Sequence, residues 1–161
     1  MACRGVHFAL TDQKASQLLN GPRADNDFLI DYIEEIEEEW DEEWLQETDK
    51  SWDAIHRCLT DGKLKWGDSP LHKCILGCAN LYKGNDYIMN FLGPKDVKDV
   101  AAAIKNIDQD DLRRRYDAIE SRSYAKSDSD FDYTWSWFRQ LRDFFQKAAA
   151  ADRAMLFTVD Q

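Results

Sequence analysis

Between Asp25 and Asp49 the chain carries 13 of its 31 acidic residues and neither lysine nor arginine, yet Phe28, Tyr32, Ile36, Trp40 and Trp44 return at every fourth position. A run this acidic is ordinarily a solvated, unfolded tail. A four-residue apolar repeat, here flanked by Leu29 and Ile33, is instead the stripe of an amphipathic helix, which forms by burying that face. Glu34, Glu35, Glu37, Glu38, Glu39, Asp41, Glu42 and Glu43 fill the other faces. Like charges four apart cost a few tenths of a kcal/mol per pair, so packing of the aromatic stripe has to outweigh their repulsion. A helix over residues 27–44 is expected, and with it a folded domain to pack against.

The same segment accounts for all of the excess negative charge. Outside it stand 18 acids and 21 Lys+Arg, against a net charge of −10 for the whole chain. Such a balance argues against nucleic-acid binding, which runs on basic surface. The acidic face has two readings: a solvated surface that keeps the protein soluble, or a docking surface whose field accelerates the approach of a basic protein. Glu35, Glu38, Glu39 and Glu42 are the candidate partner contacts.

Length and composition set the scale of the fold. At 161 residues, with 12% aromatics and 43% apolar residues, the chain fits one domain able to bury about 70% of its unfolded surface. The longest uncharged stretch, Cys74 to Tyr82, has nine residues, where a membrane span needs about 20. Residues 1–10 lack the apolar run and small-residue cleavage site of a secretory signal, so a cytoplasmic protein is expected. In that compartment Cys3, Cys58, Cys74 and Cys78 are read as free thiols.

Along the chain, Cys3 to Leu10 alternates as a strand, and Thr11 caps a helix that runs through Leu19 to a stop at Gly21-Pro22. After the acidic helix, Asp49 is expected to cap a helix from Lys50 to Leu59, which Asp61-Gly62 ends. Gly62 to Pro70 reads as loop. Leu71 to Tyr82 is ambiguous between strand and buried helix; a strand in part of it is favoured, with a turn at Asn80–Asn85. Gly93-Pro94 opens a helix lined by Val97, Val100, Ala101 and Ile104. Asp108 caps another, with Leu112, Tyr116 and Ile119 inward. A polar loop then leads to a long helix over 132–152, with Phe138, Leu141, Phe145 and Ala148 inward, and Ala154 to Val159 alternates as a closing strand. Strands near both ends with helices between them predict one α+β domain over residues 1–161, its last strand returning to the first.

The chain has no G-x-G-x-x-G, G-x-x-x-x-G-K-[ST] or G-x-S-x-G, so dinucleotide, P-loop and hydrolase-elbow readings lose their support. Weaker clusters remain. Asp53 and His56, three apart on one helix, offer a carboxylate to orient an imidazole; equally, His56 faces the core and Asp53 pairs with Arg57. Cys58, His72, Cys74 and Cys78 are ligand types that zinc accepts, without the paired C-x-x-C knuckles of a strong signal. Asp86-Tyr87 places a carboxylate and a phenol at a strand entrance, or caps a turn. Arg113-Arg114-Arg115 is surrounded by Asp110, Asp111 and Asp117, which favours local pairing. Phe131, Tyr133, Trp135, Trp137 and Phe138 form the densest aromatic group, either helix core or exposed platform.

The run Trp40-Asp41-Glu42-Glu43-Trp44-Leu45-Gln46, followed by Asp49-Lys50-Ser51-Trp52-Asp53-Ala54-Ile55-His56-Arg57-Cys58-Leu59-Thr60-Asp61-Gly62, resembles the YfbM-like bacterial family, domain-of-unknown-function family 1877. Leu76-Gly77, Asp86-Tyr87 and the Pro94-x-x-Val97 helix start extend the resemblance over nearly the whole chain. It implies a compact α+β domain and no agreed activity, so no catalytic residue is carried over. Two functional readings follow. The first is a non-enzymatic interaction module, for example an immunity-type protein masking a cationic toxin, with the acidic helix as its contact. The second is a small-molecule-binding protein or hydrolase with a pocket around Asp49, Trp52, Asp53, His56, Asp86 and Tyr87. Neither reading calls for a cofactor or metal.

Overall fold

Both chain ends build the centre of the molecule. The computed structural model describes residues 3–20 and 25–160. In it the strand β1 (Gly5–Leu10) lies beside the closing strand β5 (Ala154–Asp160), paired from Gly5↔Val159 to Leu10↔Ala154. This is the return predicted from the alternating residues at both ends. The remaining strands are β2 (Leu45–Asp49), β3 (Ala79–Asn80) and β4 (Tyr87–Leu92), giving an antiparallel sheet in the order β2-β1-β5-β4-β3. Gly5 is required where β1 meets β2: a Cβ there would stand 2.7 Å from Thr48 Oγ1 and 2.9 Å from the Phe157 ring.

Alternation along the strands divides the core in two. Val6, Phe8, Leu10, Met89 and Leu156 face α1 (Asp12–Leu19) and α2 (Asn26–Glu39). Ala9, Leu92, Met155, Phe157 and Val159 face a thicker layer: α3 (Trp52–Leu59), α4 (Pro70–Leu76), α5 (Pro94–Ile104), α6 (Gln109–Asp117) and α7 (Asp128–Ala150). The architecture is α+β, with seven helices and five strands among the described residues. The inward faces predicted for α5, α6 and α7 are the buried ones.

Several boundaries differ from the sequence reading, each for a local reason. The acidic helix stops at Glu39, not Trp44, because Trp40 adopts the left-handed region (φ 39°) and turns the chain. Leu45–Asp49 then pairs with β1, with Phe8↔Leu45 in register, so Asp49 ends a strand instead of capping a helix. Ser51 stands at the α3 N-terminus, without a capping side-chain bond. Residues 70–76 are helix, not strand: Ser69 Oγ accepts from the His72 N–H and Pro70 occupies the first turn, a start signal that suits proline. The short strand β3, Ala79–Asn80, is the part of 71–82 that is strand, as expected, and it takes the first residue of the expected turn. Helix α7 starts at Asp128, because Ser127 accepts from the Asp130 N–H at 3.1 Å. Its aromatics divide by helical spacing: Phe131 and Phe138 are core, Trp135 and Trp137 half-buried, and Tyr133 exposed. Helix α1 has the expected Thr11 cap; the Gly21-Pro22 stop lies outside the described residues.

Candidate functional site

Helix α2 is assembled as its sequence requires and charged as its physics does not. Asp25 caps it, accepting the Phe28 N–H at 3.0 Å, and Asp27 sits in the first turn, where the helix dipole favours an acid. Leu29, Tyr32, Ile33 and Ile36 are buried against the sheet. The Tyr32 hydroxyl donates to the Lys14 carbonyl at 3.0 Å; its pKa is pushed up to about 12 by burial and then by Glu35 and Glu39. At the other end, Glu37, Glu38 and Glu39 fill the last turn with no basic residue, against a dipole that favours cations there.

Ion pairing leaves this charge largely uncompensated. From Asp31 to Glu43, Glu39 pairs with Lys14 and Glu43 approaches Lys147 at 4.0 Å. Among the described residues, Asp31, Glu34, Glu35, Glu37, Glu38, Asp41 and Glu42 have no ion-pair partner, and all seven are exposed. Glu35, Glu38 and Glu39 share one helix face; Glu42 follows in the turn beyond Trp40. Trp40, 37% exposed, stands among these acids. Burial first, then Asp160 and Glu34, raises the pKa of Glu37. Arg4, a base outside this segment, is engaged with Glu47 and lies 3.7 Å from Asp49.

The second group of candidates does not converge. His56 is fully buried, and its Nε2–H donates to the Lys65 carbonyl at 2.8 Å. Burial lowers its pKa, and Nδ1 has no partner among the described residues. Asp53 accepts from Arg57 Nε at 2.6 Å, Trp52 donates to the Cys3 carbonyl at 2.9 Å, and Asp49 accepts from the Tyr133 hydroxyl. Tyr87 packs against Tyr82 on the α2 side of the sheet, and Asp86 is exposed before β4. The sheet therefore lies between Tyr87 and the α3 residues. A single pocket uniting all of them is corrected by this placement.

The cysteine cluster is similarly dispersed. Residues 70–76 are helical, so His72, Cys74 and Cys78 do not lie along one side of a strand. Cys58 and Cys74 are buried, with burial raising both thiols, Cys58 to about 12. His72 shares a hydrogen bond with Ser69 Oγ at 2.7 Å. Among the described residues no three His, Cys, Asp or Glu side chains are grouped to hold a metal ion, and no helix is long and apolar enough to cross a membrane.

Sequence reasoning missed two cavities beside α2. One, of about 240 Å³, is bounded by Lys14, Glu39, Asp41, Trp44 and Arg153. Most of its charges are engaged: Lys14 pairs with Glu39, and Arg153 lies 3.5 Å from the Trp44 ring centroid while donating to the Ala9 carbonyl; among the described residues the Asp41 carboxylate accepts only the Glu43 N–H. The other, of about 190 Å³, lies between the end of α2 and the sheet, bounded by Arg4, Glu37, Trp40, Glu47, Thr158 and Asp160. Both depend on β2 following a turn at Trp40, which helical spacing through Trp44 concealed.

The family described as a domain of unknown function, DUF1877, matches residues 1–158. Among solved structures, the crystal structure of a protein of unknown function, YfbM from Escherichia coli, is similar with a TM-score of 0.69 and 16% identity, covering 97% of this chain and 99% of that one. At that identity the likeness establishes the fold alone. No curated protein matches the chain.

Proposed function

The chain belongs to the DUF1877 family, and from that premise we propose that it is a cytoplasmic, non-enzymatic interaction module whose acidic α2 face docks on a basic protein. The observation that carries this reading is the concentration of unpaired carboxylates at the negative end of the helix dipole. Local stability would favour lysine or arginine there. Positions that break a local rule without internal compensation are where function is expected. The exposed Trp40 adds an aromatic anchor of the kind that dominates binding energy at interfaces. Masking of a cationic toxin in the manner of an immunity protein is one form this takes; that step rests on electrostatic analogy.

The test is affinity capture from cells that make the protein, with wild type and the variant Glu35→Lys, Glu38→Lys, Glu39→Lys, Glu42→Lys as baits at low and high salt. A basic protein retained by wild type, released by salt and lost from the folded variant supports the reading. Equal retention by both baits contradicts it.

A further inference from the structure

We propose that the cavity at the C-terminal end of α2 receives a single arginine side chain of the basic partner. This rests on the docking reading above and narrows it to one contact. At about 190 Å³ the cavity is smaller than the roughly 300–1,000 Å³ of small-molecule sites, a size suited to one side chain.

Its lining sets three carboxylates, Glu37, Glu47 and Asp160, against one cation, Arg4. Glu47 is neutralised by Arg4, but Glu37 and Asp160, both lining the cavity, have no ion pair among the described residues. Their mutual repulsion contributes to the raised pKa of Glu37, and a guanidinium between them would relieve it. The floor offers a side-chain hydroxyl. Thr158 is 2% exposed, and its backbone is held between Val6 and Met89 within the sheet, so only its side chain reaches the cavity. Among the described residues its hydroxyl makes no hydrogen bond. An N–H donor entering the cavity would meet this hydroxyl as an acceptor on the floor.

Trp40 selects arginine over lysine. Its ring stands at the edge of the cavity, held out by a left-handed backbone (φ 39°) that glycine adopts more readily. A planar guanidinium can lie on an indole face while forking toward two carboxylates; an ammonium over such a face, as Lys147 is over Trp44 at 4.3 Å, approaches one carboxylate, Glu43. The fold already makes this contact once, where Arg153 lies over Trp44 at 3.5 Å and donates to a backbone carbonyl. At Trp44 the guanidinium is internal; at Trp40 the position is open.

The experiment titrates N-acetyl-arginine amide into isotope-labelled full-length protein, with N-acetyl-lysine amide at matched ionic strength as control. Nuclear magnetic resonance follows the Trp40 indole and the Thr158 amide. Both signals are expected to move together and saturate with arginine, with a weaker response to lysine. Glu37→Gln and Thr158→Val should each weaken arginine binding about fivefold, the effect of one charge-assisted or buried hydrogen bond. Trp40→Gly keeps the left-handed turn while removing the ring, and should abolish the preference for arginine over lysine. Equal shifts with both amides spread over all of α2, or no movement at Trp40 and Thr158, would overturn the inference. Partner capture that survives Glu37→Gln and Thr158→Val but is lost on the four-Glu reversal also overturns it, while leaving the docking reading standing. Arginine-selective shifts in a protein whose partner capture ignores the four-Glu reversal support the receptor and contradict the docking face.

Discussion

On one side of the sheet, α3 to α7 cover His7, Met155, Phe157 and Val159, and many of their surface acids are matched by bases. Asp53 pairs with Arg57, Asp96 with Lys73, Asp99 with Lys95, and Asp117 and Asp128 with Arg113. On the other side, α1 and α2 alone cover Val6, Phe8 and Leu156, and most of the acids on α2 face water without a partner. Each exposed pair on the thick side is worth only about 0–1 kcal/mol. The pairing nevertheless shows that matching charge locally is easy for this chain. Its scarcity on α2, where Glu39 alone is paired among the described residues, is therefore a property of that surface, and it is the ground of the docking proposal.

The largest expected effect probes the thick side. Phe138 is fully buried, and Phe138→Ala should cost about 3–5 kcal/mol in urea unfolding. A cost below 1 kcal/mol would mean that this layer is not the stabilising half. Next comes acid sensitivity, which also resides there. His7 is enclosed by Phe145 and Phe157, and burial holds its pKa down to about 4 against an ordinary value of 6.5. Because the unfolded chain takes up that proton first, stability falls as pH drops below 6.5 and stops falling on this account below 4. The full difference is about 3 kcal/mol. His7→Gln should flatten the dependence, leaving the part in the same direction that comes from buried His56.

The smallest effects compare the two surfaces by sign. Glu38→Lys removes an acid from the negative end of α2 and should raise stability by about 0.3–1 kcal/mol. Asp53→Asn breaks an ion pair on α3 and should lower stability by at most about 1 kcal/mol. Thermal unfolding of the two variants against wild type checks the contrast. Two changes of the same sign would remove the distinction between the faces.

Much of the fold was legible because its signals are periodic and local. The alternating Val6-x-Phe8 and Leu156-x-Thr158 segments, the Pro94 helix start and the Asp108 cap all needed only near neighbours in sequence. The acidic stripe identified α2 correctly and overran its end. Trp40 and Trp44 continue the four-residue spacing, but Trp40 turns the chain and Trp44 meets Arg153 from the far end of the sequence. No local pattern reports a contact across more than a hundred residues. β2 and the cavity floored by Thr158 were invisible for a related reason: β2 exists only through its pairing with β1, and the cavity only once β5 has joined the same sheet. His56 illustrates the converse. Its spacing from Asp53 admitted chemistry, but the same helical spacing also pointed to an inward His56 and an Asp53–Arg57 pair, and the structure holds both.

Hydrogen exchange of the protein alone and in complex with its captured basic partner tests the central claim most directly. Protection confined to residues 25–43 and the neighbouring Arg4 and Asp160 edges, and diminished by added salt, is the predicted result. Protection falling on α5 to α7, with α2 exchanging as fast in the complex as alone, would contradict it.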